Sequence, residues 1–195
     1  MPDLLLLLRL FTLAVWVFWL LIYWRGGTRA LKDIRAARSP SDREAMIVIL
    51  TLAGVLFTTG LLVVSGGVAV LGLAENTLIA LAGAALALLG AAATFYCRAY
   101  LGRFWTAEAA LQDNHQIIDT GPYALVRHPI YAAALTMYGG TTMVFATPWT
   151  LLAYALLVIA HMLKVCEEER LLIGRLPAYA EYRRHVRRRL IPGLW

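Results

Sequence analysis

The chain has 195 residues, of which 61% are hydrophobic and only 15% charged, with a mean hydropathy of +0.67. A soluble globular domain is nearer half apolar with about a quarter of its residues charged, so this composition excludes an ordinary soluble fold and points to an all-α integral membrane protein. Two cysteines without CxxC spacing support neither a disulfide framework nor a zinc site, and no metal is expected. The formal charge of +6 raises nucleic acid as a partner only until the placement of the basic residues is read.

A membrane-spanning helix needs about 20 apolar residues. In chain order the candidates are Leu4–Trp24, broken only by Arg9, then Ala45–Val64, Thr77–Cys97, Ile130–Phe145 and Trp149–Val165. The first has no basic residues before it and no small-residue cleavage site after it, so it reads as a retained helix and not a signal peptide. On the third, Ala80, Gly83, Ala87, Gly90 and Ala91 recur at i+3/i+4 spacing. That small-residue face allows close approach of a second helix, in the same chain or another. Only Ala146-Thr147-Pro148 separates the fourth and fifth, which predicts a tight helical hairpin of two rather short spans.

Of the 18 basic residues, Arg9 lies inside the first span, six lie in 25–44, three in 98–129 and eight in 164–195, where Lys164 stands at the very end of the fifth span. The loop 65–76 and the hairpin tip have none. Five spans with the N-terminus outside put every basic segment in the cytoplasm, as the positive-inside rule requires. Basicity is thereby assigned to topology and to membrane lipid, and nucleic acid is not expected. Without repeats or low-complexity linkers, residues 1–195 read as one domain, with 1–97 as scaffold and 98–195 as the chemical part. Oligomeric state stays open.

The densest polar stretch is His115-Gln-Ile-Ile-Asp-Thr-Gly-Pro-Tyr-Ala-Leu-Val-Arg-His-Pro-Ile-Tyr131. Polar groups at a bilayer boundary must be hydrated or paired, so a mere anchor gains nothing from such density. Gly121-Pro122 marks a turn, and Pro129 biases His128 away from helical geometry. Pro129 is also an acceptable first residue of the fourth helix. Arg127 and His128 then stand at a helix start, where free N–H groups and a partial positive charge suit an anion. Ile117 and Ile118 offer an apolar wall for a planar ring. The bland alternative makes Arg127 a snorkelling side chain, Tyr123 and Tyr131 belt aromatics, and His128 a cap.

A second polar cluster, Glu167-Glu168-Glu169-Arg170, follows the fifth apolar run. On a continuing helix His161, Lys164 and Glu168 share a face, and Lys164 reaches Glu167 or Glu168. A carboxylate here suits the paired hydroxyls of a ribose, although a charge run ending a helix is commonly just solvated. Tyr179 to Tyr182, followed by Arg183, Arg184, Arg187, Arg188 and Arg189, reads as a basic amphipathic segment on anionic membrane. No GxGxxG or GxxxxGK[ST] stretch is present, which argues against a soluble nucleotide fold.

Taken together, Leu101-Gly102 with Trp105, the His115-to-Tyr131 string, Glu167-Glu168, Tyr179-x-x-Tyr182 and Leu190-Ile-Pro-Gly193 resemble the isoprenylcysteine carboxyl methyltransferase family over roughly residues 98–195. The string alone is shared with phospholipid N-methyltransferases and some membrane sterol reductases. The resemblance implies an integral membrane enzyme that uses S-adenosylmethionine. Carried over residue by residue, it implies a cofactor site of Glu108, His115, Ile118, Tyr123, His128, Pro129, Ile130, Tyr131 and Glu167, with Glu168 replacing Glu167 if the register slips by one. Eukaryotic members have an Arg for the substrate carboxylate where this chain has Leu163, next to Lys164. Gly174-Arg-Leu-Pro177 also departs from the family's aromatic-Gly-acidic turn.

These readings converge on methyl transfer to a lipid-like acceptor, most simply a carboxylate. Arg127 and Lys164 are expected to hold the acceptor at the cytoplasmic face of a prokaryotic inner membrane. The rival readings are an aminolipid N-methyltransferase, an NADPH-dependent reductase and a non-catalytic module. A reductase would need more basic residues around its phosphates than Arg98, Arg103 and Arg127 supply.

Overall fold

In the computed structural model the described residues are 2–33, 76–102 and 117–191. Among them every element is helical: α1 (Pro2–Asp33), α2 (Thr77–Leu101), α3 (Pro122–Leu125), α4 (Pro129–Phe145), α5 (Pro148–Arg175) and α6 (Pro177–His185). The segments Leu4–Ile22, Thr77–Leu101 and Pro148–Arg175 are long and apolar enough to cross a bilayer. The expected span Ala45–Val64 lies outside the described residues.

The three long helices α1, α2 and α5 each bury a stripe and leave an apolar surface exposed. On α1 the buried positions are Leu8, Thr12, Val15 and Trp19, a repeat of three to four residues, while Leu6, Leu7, Leu10, Phe18 and Leu21 are exposed. A soluble helix reverses that polarity on its outer face; here the outer face suits lipid.

The small residues of α2 meet α4 of the same chain. A Cβ placed on Gly83 would lie 2.6 Å from the Gly140 oxygen, one on Gly140 2.5 Å from the Ala87 nitrogen, and one on Gly90 2.4 Å from the Met137 nitrogen. The two backbones therefore touch, and side chains are excluded from the seam because there is no volume for them. Asn76 fixes the start of α2 by accepting from the Leu78 and Ile79 amides at 3.0 and 3.2 Å.

α1 is attached to this seam by two tryptophans. Trp16 Nε1 donates to Thr141 Oγ1 at 2.9 Å and Trp19 Nε1 to Thr94 Oγ1 at 3.1 Å. An indole N–H in an apolar surrounding needs such a partner.

α4 and α5 form the expected hairpin around Ala146 and Thr147. Thr147 caps α5, its hydroxyl accepting from the Thr150 amide at 3.1 Å while its own amide donates to Thr150 Oγ1 at 3.0 Å. The antiparallel register follows from cross-contacts, which climb one helix as they descend the other: Gly139 against Tyr154, Tyr138 against His161, Tyr131 against Glu168. One correction concerns α5, which continues unbroken to Arg175 instead of ending near Val165. Glu167, Glu168 and Glu169 are thus helical, as the shared face of His161, Lys164 and Glu168 requires. Glutamate, lysine and leucine are good helix formers, so the end of the apolar run does not end the helix.

Candidate active site

The loop before α4 is shaped by glycine and proline. Gly121 has φ +57°, and a Cβ there would lie 2.5 Å from the Tyr100 ring, so both backbone and space require glycine. After the single turn of α3, Val126 is extended, with φ −143° and ψ 152°. His128, with φ −125° and ψ 62°, stays out of the helical region ahead of Pro129. The chain from 126 to 128 therefore runs open, and its amides find partners elsewhere. Arg127 N donates to Arg188 O and His128 N to Arg189 O, both at 2.9 Å. The C-terminal tail closes the loop.

Tyr123 ties the turn to its surroundings. Its hydroxyl donates to Cys97 O at 3.3 Å, and its own carbonyl accepts from the Tyr182 hydroxyl at 2.7 Å. Tyr179, Tyr182 and Val186 form a buried cluster on which Ile117, Leu172 and Leu176 pack. Ile117 is thereby part of the tail's packing, while Ile118 is half-buried and Pro129 and Ile130 are buried at the start of α4.

The two polar clusters of the sequence converge here. His128 is buried between two carboxylates, Nδ1 lying 3.5 Å from Glu168 Oε2 and Nε2 3.5 Å from Glu169 Oε1. The Tyr131 hydroxyl donates to Glu168 Oε1. The His128 and Tyr131 rings stack, with centroids 5.9 Å apart and planes 12° from parallel. Tyr131 meets His161 edge-on at 5.4 Å, and His161 meets Tyr138 at 5.7 Å. Trp16 of α1 stacks on Tyr138 at 5.5 Å. A continuous row of rings thus runs from the charged end into the bundle. Lys164 Nζ sits 5.2 Å from the Tyr131 ring centroid, a cation–π distance. The shared face of His161, Lys164 and Glu168 read from the sequence is the face that meets Tyr131.

Burial works against a charge on His128, but the two flanking carboxylates outweigh it and its pKa is raised above the ordinary imidazole value. On the tail, burial pushes the Tyr179 and Tyr182 phenols well above their usual range, so both stay protonated.

Arg127 and Glu169 play parts that the sequence did not disclose. Arg127 Nε and Nη2 lie 2.7 and 2.6 Å from Glu169 Oε1, and Nη1 donates to Val186 O at 2.7 Å. With its three nitrogens engaged inside the fold, Arg127 holds Glu169 and the tail. Arg189, read as a surface arginine, donates to Glu169 Oε2 at 3.1 Å. Glu169 therefore sits between two guanidinium groups and the imidazole. The signal for it was the requirement that a buried Arg127 at a bilayer boundary have an anionic partner. Of the register alternatives, Glu168 meets His128 and Tyr131, and Glu167 is half-buried one position away. Glu108 and His115 lie outside the described residues.

Residues 83–174 match the model of the isoprenylcysteine carboxyl methyltransferase (ICMT) family. The match takes in the α2–α4 seam from Gly83 onward and the His128–Glu168–Glu169 cluster, and stops just short of α6. A comparison with curated proteins gives no match.

Proposed function

We propose that this chain, a membrane methyltransferase of the isoprenylcysteine carboxyl methyltransferase type by its family domain, takes its methyl group from S-adenosylmethionine and delivers it to a lipid-like carboxylate. The observation that carries this reading is the buried meeting of His128 and Tyr131 from α4 with Glu168 and Glu169 from α5.

The residues fit such a donor. A carboxylate offers about four acceptor positions, so Glu168, which accepts from Tyr131 and pairs with His128, retains capacity for ribose hydroxyls. The stacked rings of His128 and Tyr131 give a flat surface for a base, and aromatic faces beside carboxylates suit a sulfonium cation. When bound, S-adenosylmethionine supplies an electrophilic methyl group that needs no strong nucleophile from the protein. The chain's task is to align the acceptor and exclude water.

In this reading Glu168 and His128 hold the donor, with Tyr123, Pro129, Ile130, Tyr131, Ile118, Glu167, Glu108 and His115 contributing as the family resemblance implies. Lys164, half-buried over Tyr131, attracts an anionic acceptor. Arg127 acts through Glu169 as a positioning residue. A carboxylate acceptor is already ionised at neutral pH and requires no base, whereas an amine must first lose a proton. We further propose five spans with the N-terminus outside, a site opening to the cytoplasm of a prokaryotic inner membrane, and lateral access for the acceptor from lipid.

Calorimetric titration of the purified protein with S-adenosylmethionine tests the donor. Binding is expected, weakened at least tenfold by His128→Ala and by Glu168→Gln, as loss of a charge-assisted hydrogen bond predicts. A wild-type protein that binds none overturns the reading. Labelled methyl groups recovered from native lipid extract as base-labile esters identify a carboxylate acceptor, and methylated aminolipid identifies an amine.

A further inference from the structure

The tail has two sides. Tyr179, Tyr182, Val186 and Leu190 are buried, whereas Arg183, Arg184, Arg187 and Arg188 are all exposed. The apolar run of α5 ends at Val165, and the helix continues past it to Arg175 before the chain turns at Leu176. α6 then brings the chain back, so that Arg189 reaches Glu169. Glu169 is four residues beyond Val165, about 6 Å of helical rise. Arg187 and Arg188, next to Arg189, are therefore held near the bilayer boundary, within about one Debye length of the headgroups at physiological salt.

We propose that this arginine face binds anionic phospholipid headgroups and that the binding fastens the tail over the His128 loop. The fastening points are the carbonyls of Arg188 and Arg189, which accept from the Arg127 and His128 amides, together with the Arg189–Glu169 pair. Anionic lipid, in drawing Arg187 and Arg188 to the membrane surface, holds Arg188, whose carbonyl accepts from Arg127, and with it the adjoining Arg189, whose carbonyl accepts from His128. A zwitterionic surface offers the same apolar interior without the charge, and gives no such hold. Each basic side chain near an anionic surface strengthens attachment roughly fivefold, so four together are sufficient to change the docked fraction. The inference rests on the fold and on the membrane setting, not on methyl transfer.

The test is hydrogen exchange at the Arg127 and His128 amides of the full chain, reconstituted in phosphatidylcholine vesicles and in vesicles with phosphatidylglycerol added. Exchange of both amides is expected to slow by about tenfold or more in the phosphatidylglycerol vesicles, and the gain is expected to vanish at high salt. The variant R183Q/R184Q/R187Q/R188Q, altered only at exposed positions, is expected to fold and to exchange alike in both. Equal protection of the wild type in the two vesicles overturns the proposal, as does a full response from the glutamine variant. Neither result bears on S-adenosylmethionine binding, which calorimetry reads separately.

Discussion

The α2–α4 seam and the α4–α5 polar cluster lie on opposite sides of one helix and are specified in opposite ways. At the seam, Gly83, Gly90 and Gly140 let two backbones touch, and contact is specified by what is missing. At the cluster, two carboxylates, the Arg127 guanidinium and an imidazole are brought out of water and paired, with the half-exposed Arg189 on the outer side. In lipid, apolar surface gains nothing by moving from tails to another helix, so close packing and polar pairing carry the association. The seam sets α4 against α2 by backbone contact, and α4 in turn presents His128 and Tyr131 to the carboxylates of α5.

The comparison breaks most severely at Glu169. Glu169→Ala strands Arg127, a buried guanidinium, removes a partner of Arg189 and leaves His128 with only one flanking carboxylate. Removing one partner of a buried ion pair costs about 3–5 kcal/mol, and denaturant unfolding in detergent is expected to show a loss of that size. Arg127→Met with Glu169→Leu, which removes both charges, is expected to recover most of the stability. A double variant as unstable as the single one contradicts the pairing. Next in size is Gly90→Ala, whose Cβ would meet the Met137 amide at 2.4 Å. Overpacking of this kind costs about 1–3 kcal/mol. Gly174 has nothing within 4 Å of a Cβ position, so Gly174→Ala in the last turn of α5 is the control, expected to be neutral or slightly stabilising.

These two regions were also unequally legible in the sequence. Ala80, Gly83, Ala87, Gly90 and Ala91 announce a close-packing face because small residues at helical spacing have few other uses in a span; only the identity of the partner helix was open. The convergence of the Arg-His-Pro string with the acidic cluster was readable as well, since both lie at the ends of neighbouring apolar runs. What sequence could not give was the azimuth. Glu167, Glu168 and Glu169 are successive residues pointing about 100° apart on a helix, and a one-residue slip changes which of them meets His128. The tail was legible as amphipathic, but the fate of Arg189 depended on a chain reversal at Leu176 that places it beside Glu169.

A smaller effect concerns protonation, because burial and the carboxylates oppose each other at His128. The carboxylates prevail and the folded-state pKa is raised. A group with a raised folded pKa contributes stability that is fully present below its unfolded value, about 6.5 for imidazole, and loses it as pH climbs through the folded value. Stability is therefore expected to fall on the alkaline side of that window. NMR titration of imidazole-labelled protein is expected to find His128 titrating above the ordinary imidazole value, and Glu168→Gln to move it downward. A His128 that titrates at or below the ordinary value removes the electrostatic reading of the cluster.

The smallest effect belongs to the seam's outer neighbour. Trp16→Phe keeps a ring against Tyr138 but removes the Nε1 donor to Thr141. Thr141 also donates to the Met137 carbonyl at 2.9 Å within α4, so the hydroxyl keeps a partner when the indole is lost. Interhelical hydrogen bonds in membranes average about 0.6 kcal/mol in double-mutant cycles, far less than an unsatisfied buried group costs in apolar surroundings. Combining Trp16→Phe with Thr141→Val isolates that coupling. A value near zero makes α1 a passive cover, whereas one well above 1 kcal/mol, measured by unfolding in detergent, makes the tryptophan bond a determinant of how α1 docks.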